Sequence, residues 1–165
     1  MLSSDINFHV WSMQTDDNHV HTMVNALDPT LPQSNTCHHD TGTNCHVFHD
    51  RNAFETYKST EPITVHGFGH NLSTTMIGRG TVQLESRHGR EVHNIILHNI
   101  LHMPAACTNL VSGIQLDKAG VMTMLSNGLL ALATNGRTIV EGKIINNMYR
   151  LHLRIVPPST TSLAL

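Results

Sequence analysis

Asp40, Thr41 and Gly42 stand in a row, and these residue types in this order suit one kind of chemistry. A carboxylate can pass a proton to or from a water that attacks a peptide carbonyl. A hydroxyl beside it can hydrogen-bond within the loop and keep it rigid. A glycine lets backbone approach the carboxylate where a side chain would stand in the way. Such work needs two carboxylates together, because a close pair splits its titration and keeps one charged and one protonated. The chain contains one Asp-Thr-Gly. Taken alone, the tripeptide also reads as a plain turn.

The same stretch holds Cys37, His38, His39, Cys45, His46 and His49, which invites a zinc reading. The C-x2-C pair of structural zinc sites is missing, and the cluster straddles the Asp-Thr-Gly loop. Polar residues on a loop are the preferred account, and neither a metal nor a cofactor is expected. Three cysteines at scattered positions, Cys37, Cys45 and Cys107, do not describe a disulfide framework. Cys107 reads as a small core or loop residue. No nucleophile-elbow pattern supports a Ser-His or Cys-His triad. The 14 histidines are spread along the chain, and most are expected at the surface.

The elements that must position Asp40 are short and β-like. At 165 residues the chain has room for one domain with a real core. Its aromatic content of 4% leaves that core to Ile, Leu, Val and Met. Net charge is -2 with no basic stripe, so nucleic acid is not an expected partner. No apolar stretch approaches a membrane span, and the start lacks a signal-peptide layout. An intracellular, cytoplasmic protein without a membrane partner is expected.

Residues 1–35 are polar and read as a leader or linker, with one short helix possible over Val20, Met23, Val24 and Leu27. A domain is expected over 36–155 and a frayed tail over 156–165. Within the domain, Pro62–Val65, Thr75–Leu84, Val92–Leu101, Val121–Leu125, Leu129–Leu132, Thr138–Ile144 and Met148–Leu153 are strand-like. Gly78 and Gly80 mark bends or bulges, and His88-Gly89 a hairpin turn. Asn127-Gly128 and Asn135-Gly136 are the strongest hairpin signals. Ser112 and Gln115 have capping-box spacing, and Gly120 is placed as a helix stop, so one short helix is expected between them. The expected architecture is an all-β domain with one short helix, a small closed or nearly closed barrel that hides its strand edges.

Several spaced segments carry a family resemblance from about Thr36 to Leu153. They are Asp40-Thr41-Gly42, His49 to Phe54, Gly67-Phe68-Gly69-His70-Asn71 and Ile77 to Val82. The most specific is Ile100-Leu101-His102-Met103-Pro104 leading to Asn109-Leu110-Val111-Ser112-Gly113-Ile114-Gln115-Leu116. In this order they resemble the β-barrel, retropepsin-like domain of copia-type (TNT-type) retrotransposon Pol polyproteins.

The resemblance implies a half-enzyme whose two copies form a homodimer, pair their Asp40 residues and cut polypeptide, the polyprotein itself. Thr41 and Gly42 would complete the catalytic loop. Gly67, Phe68, Gly69, His70 and Asn71 would form a flap over substrate, and Leu110-Val111 would pack behind the loop. Cys37-His38-His39 replace the apolar residues that normally enter such a loop. These histidines are expected either to be solvated or to hold Asp40 charged. The alternative function is a degenerate or co-opted barrel, catalytically inactive, that folds or binds without cutting.

Overall fold

The computed structural model describes residues 31–66 and 73–159. Eleven strands and one short α-helix follow one another in this span. The first three strands are β1 (Cys37–Asp40), β2 (Val47–Phe48) and β3 (Phe54–His66). A single 3-10 turn over Arg51–Ala53, capped by the Asp50 side chain, leads into β3. Two long strands, β4 (Ser73–His88) and β5 (Glu91–His102), form a hairpin through Gly89, whose φ is 61°. Then come β6 (Asn109–Ser112) and α1 (Gly113–Lys118). The expected helix is therefore present, and Gly120, with φ 78°, follows its end.

A meander completes the chain: β7 (Met122–Ser126), β8 (Leu129–Thr134), β9 (Arg137–Ile145) and β10 (Met148–Leu151), with β11 (Leu153–Val156) after it. Asn127-Gly128 and Asn135-Gly136 make its first two turns, every residue having positive φ. That is what a type I′ turn requires, because its twist matches that of the flanking strands. Asn146 and Asn147, also at positive φ, turn β9 into β10. This third turn escaped the sequence reading because it lacks the glycine.

The ladder runs β11-β4-β5-β2-β6-β1-β10-β9-β8-β7, with β3 also on β4. The β1–β6 and β2–β5 pairs are parallel and the rest antiparallel, so the sheet is mixed. It is not closed by hydrogen bonds, since β7 and β11 each have one neighbour. The expected barrel is corrected to that extent. Closure is by the chain: Leu151 pairs with Cys37 in β1, and Leu153, two residues on, pairs with Ser86 in β4. The Ser86 hydroxyl also donates to the Ile139 carbonyl, tying β4 to β9.

Alternation along β4 sends Val82, Leu84 and Ser86 inward, as a half-buried strand demands. The main core gathers Phe48, Phe54, Val82, Leu84, Ile100, Val111, Leu132 and Val140. A second cluster lies around Val47, Val65, Met76, Leu101, Met103 and Leu110. Aromatic rings are few, yet Phe48 and Phe54 are fully buried and meet edge to face at 6.5 Å. Gly80 has a clear reason: a Cβ there would lie 1.9 Å from the Thr56 carbonyl oxygen.

Candidate functional site

Asp40 is the last residue of β1, where the strand lies parallel to β6 with Asp40 opposite Ser112. Leu110 and Val111 are buried and sit opposite His38 and His39 in the same ladder. The Asp40 carboxylate is half-buried, and its Oδ1 accepts the Gly42 N–H at 2.7 Å. Burial pushes its pKa above the ordinary carboxyl value, and the Gly42 bond holds part of that rise back. A carboxyl in this state holds a proton to higher pH than an exposed one.

The loop after Asp40 is fastened to the start of α1. Ser112 is the hub. Its hydroxyl donates to the Thr43 carbonyl at 2.6 Å and accepts the Gln115 N–H at 3.2 Å. Its own N–H donates to His46 Nδ1 at 3.0 Å. Gln115 Nε2 reaches the Asn44 carbonyl at 2.6 Å, so this side chain holds the loop instead of folding back on its own helix. Thr43, fully buried, donates its hydroxyl to the Cys45 carbonyl at 2.9 Å. Thr41 is exposed, and its hydroxyl makes no hydrogen bond among the described residues. The hydroxyl that stiffens the loop is therefore that of Thr43, not of Thr41 as the sequence led one to expect.

The two histidines beside Asp40 do neither thing expected of them. His38 Nδ1 lies 2.9 Å from Thr108 Oγ1, and its pKa is lowered by burial and then by Arg150. His39 is buried with its ring against Gly113, its Nε2 3.3 Å from Thr123 Oγ1, and burial lowers its pKa as well. Both favour the neutral form, so neither holds Asp40 charged. β alternation puts His39 on the packed face opposite Asp40, while His38 shares the face of Asp40 and is half-buried there.

His46 is driven furthest. Burial takes its pKa from 6.5 to about 4, in keeping with an Nδ1 that must accept from Ser112. His102 is buried too; its Nδ1 accepts the Tyr57 hydroxyl at 2.7 Å and its Nε2 donates to the His49 carbonyl at 3.2 Å. Three histidines expected at the surface are thus structural. Burial also pushes the Cys37 thiol up to about 12, which makes it a poor nucleophile.

Of the residues predicted from sequence, Asp40, Thr41 and Gly42 form one loop at the end of β1. The predicted flap, Gly67, Phe68, Gly69, His70 and Asn71, lies outside the described residues. Among the described residues, no three His, Cys, Asp or Glu side chains gather as a metal site. Sequence reasoning missed Thr43, His46, Ser112 and Gln115 as the frame of the loop. The capping-box spacing pointed to the last two, for a different purpose; nothing local pointed to His46. The family described as Pol polyprotein, beta-barrel domain, matches residues 38–121. No curated protein and no solved structure matches the chain.

Proposed function

Because the chain belongs to the Pol polyprotein beta-barrel domain family, we propose that it is one half of a copia-type, retropepsin-like aspartic endopeptidase. Two copies form a homodimer and bring their Asp40 carboxyls together. The observation that carries this reading is the state of Asp40. It is half-buried, inclined to keep its proton, and mounted on a loop tied at several points to α1.

In the pair, one Asp40 is charged and takes a proton from water, while the other is protonated and donates to the peptide carbonyl oxygen. Burial already favours the protonated form in one chain, and a second charge nearby raises that preference further. The exposed Thr41 hydroxyl, without a hydrogen-bond partner among the described residues, can bond the second copy. The substrate is an extended polypeptide segment of a polyprotein.

Incubating the protein with a peptide library at mildly acid pH tests this. Cleavage is expected, with loss on Asp40→Asn and on adding a pepstatin-type inhibitor. No cleavage at any pH, in a sample shown by its mass to be dimeric, would sink the proposal. That result would leave a barrel that binds without cutting.

A further inference from the structure

We propose that the cavity between the β4–β5 ladder, α1 and the β8–β9 hairpin binds one fatty carboxylate, with the tail inside and the carboxylate at the mouth. The cavity measures about 580 Å³. Packed interiors keep few voids larger than a water molecule, whereas small-molecule sites run from about 300 to 1,000 Å³. The half-buried Ile95, Val121, Ile139 and Leu153 supply apolar walls over the core, which suit a hydrocarbon better than water.

The mouth has the opposite character. Arg79, His98 and Asn99 line both this cavity and an open cleft of about 490 Å³ beside it. Lys58 lines that cleft and stands directly opposite Arg79 in the β3–β4 ladder. Like charges directly opposed in a sheet repel, and neither cation makes an ion pair with a described residue. Among the described residues, no Asp or Glu lines the cavity or the cleft. A carboxylate head would offset both charges, so charge complementarity identifies the ligand as anionic.

The backbone opens at the same place. Gly80 pairs with Ile100 and Val82 with Leu97, so Thr81 faces two residues, His98 and Asn99. Asn99 takes a φ of 54° to accommodate this bulge. A bulge breaks the ladder and re-aims side chains; here it sits at the mouth. Because Ile96 alone among the large aliphatic residues of the lining is largely exposed and the others are recessed, a free single chain fits the cavity and a bilayer does not. His46 and Gln115 of the loop frame line one side of the cavity but Asp40 does not, so binding here does not require the peptidase reading.

Titration calorimetry of the full chain with dodecanoate, below its micelle concentration, tests the site. Saturable binding of one molecule per chain is expected, unchanged by Asp40→Asn. Dodecyltrimethylammonium, with the same tail and opposite charge, is expected to bind at least tenfold more weakly. Arg79→Gln combined with Lys58→Gln is expected to weaken dodecanoate at least tenfold, and Ile139→Trp to abolish binding by filling the cavity. Circular dichroism checks that each variant folds, and the Arg79 and Lys58 changes decide the matter if the Trp variant does not. No saturable binding, equal binding of the cationic amphiphile, or indifference to the double charge change overturns the proposal. So does a concentration-dependent dimer that gives no heat with dodecanoate, which would make a second copy the occupant.

Discussion

Around Asp40, the Ser112 N–H and the Ser112 and Gln115 side chains hold atoms 66 to 71 residues earlier in the chain. In the meander from Met122 to Leu151, consecutive strands pair across turns of two residues. One region is held by non-local bonds between side chains and backbone, the other by backbone twist at asparagine and glycine. Damage to the first should therefore spread between elements and reach the carboxylate. Damage to the second should stay at a turn.

The largest effect is expected from Ser112→Ala. It orphans the buried Thr43 carbonyl, about 1–3 kcal/mol, and removes a helix cap worth about 1 kcal/mol. Urea unfolding should show a loss of about 2–4 kcal/mol, and any peptide cleavage should fall with it. A loss below about 0.5 kcal/mol would mean that the hub carries no more than an ordinary surface residue.

Next comes pH. His46 titrates at about 4 when folded, against 6.5 for the free group. As pH falls below the free value, the unfolded chain takes up the proton and the folded chain does not. Stability is therefore full above pH 6.5 and drains as pH falls toward 4. At 1.36 kcal/mol per unit this amounts to about 3 kcal/mol. Asp40 acts with the opposite sign: its raised folded value returns some stability as pH falls through it. His46→Gln, which keeps an acceptor for Ser112, should flatten the fall in urea midpoint over this range.

Asn135→Ala should cost less, about 1–2 kcal/mol for a left-handed residue that is neither Asn nor Gly. Cleavage should be untouched, and hydrogen exchange should rise in β8 and β9 alone. A change at Asp40 would break the contrast between the two regions. Smallest of all is Thr41→Val in the single chain, within about 0.5 kcal/mol for an exposed residue. Thr43→Val should cost about 1 kcal/mol or more for its lost bond to the Cys45 carbonyl. If the dimer reading holds, Thr41→Val weakens self-association while leaving the unfolding of the monomer alone, which sedimentation against concentration would reveal.

The meander was legible because its signals are local. Asn127-Gly128 and Asn135-Gly136 state their own φ requirements, and the Ser112 to Gly120 helix carries its start and stop within nine residues. The flanking runs of Leu, Val and Ile need only alternate. β1 and β2 were not legible, since Cys37-His38-His39-Asp40 and Val47-Phe48 have no strand pattern of their own and exist through pairing with β6, β5 and β10. The first half of β3 was missed for a similar reason: Glu55 to Glu61 is polar, and only its ladder with β4 makes it a strand.

By itself, then, the sequence determined the strand-rich character, the three-residue carboxylate loop and the hairpin turns, because these depend on residue types a few positions apart. Tertiary structure alone decided that the loop is stiffened by Thr43 and Ser112, that its two histidines are neutral, and that the sheet closes through His152 and not through a ladder. Those outcomes depend on burial and on hydrogen bonds between residues some seventy positions apart. Only the folded chain brings such residues within bonding distance and removes the water that would otherwise satisfy them.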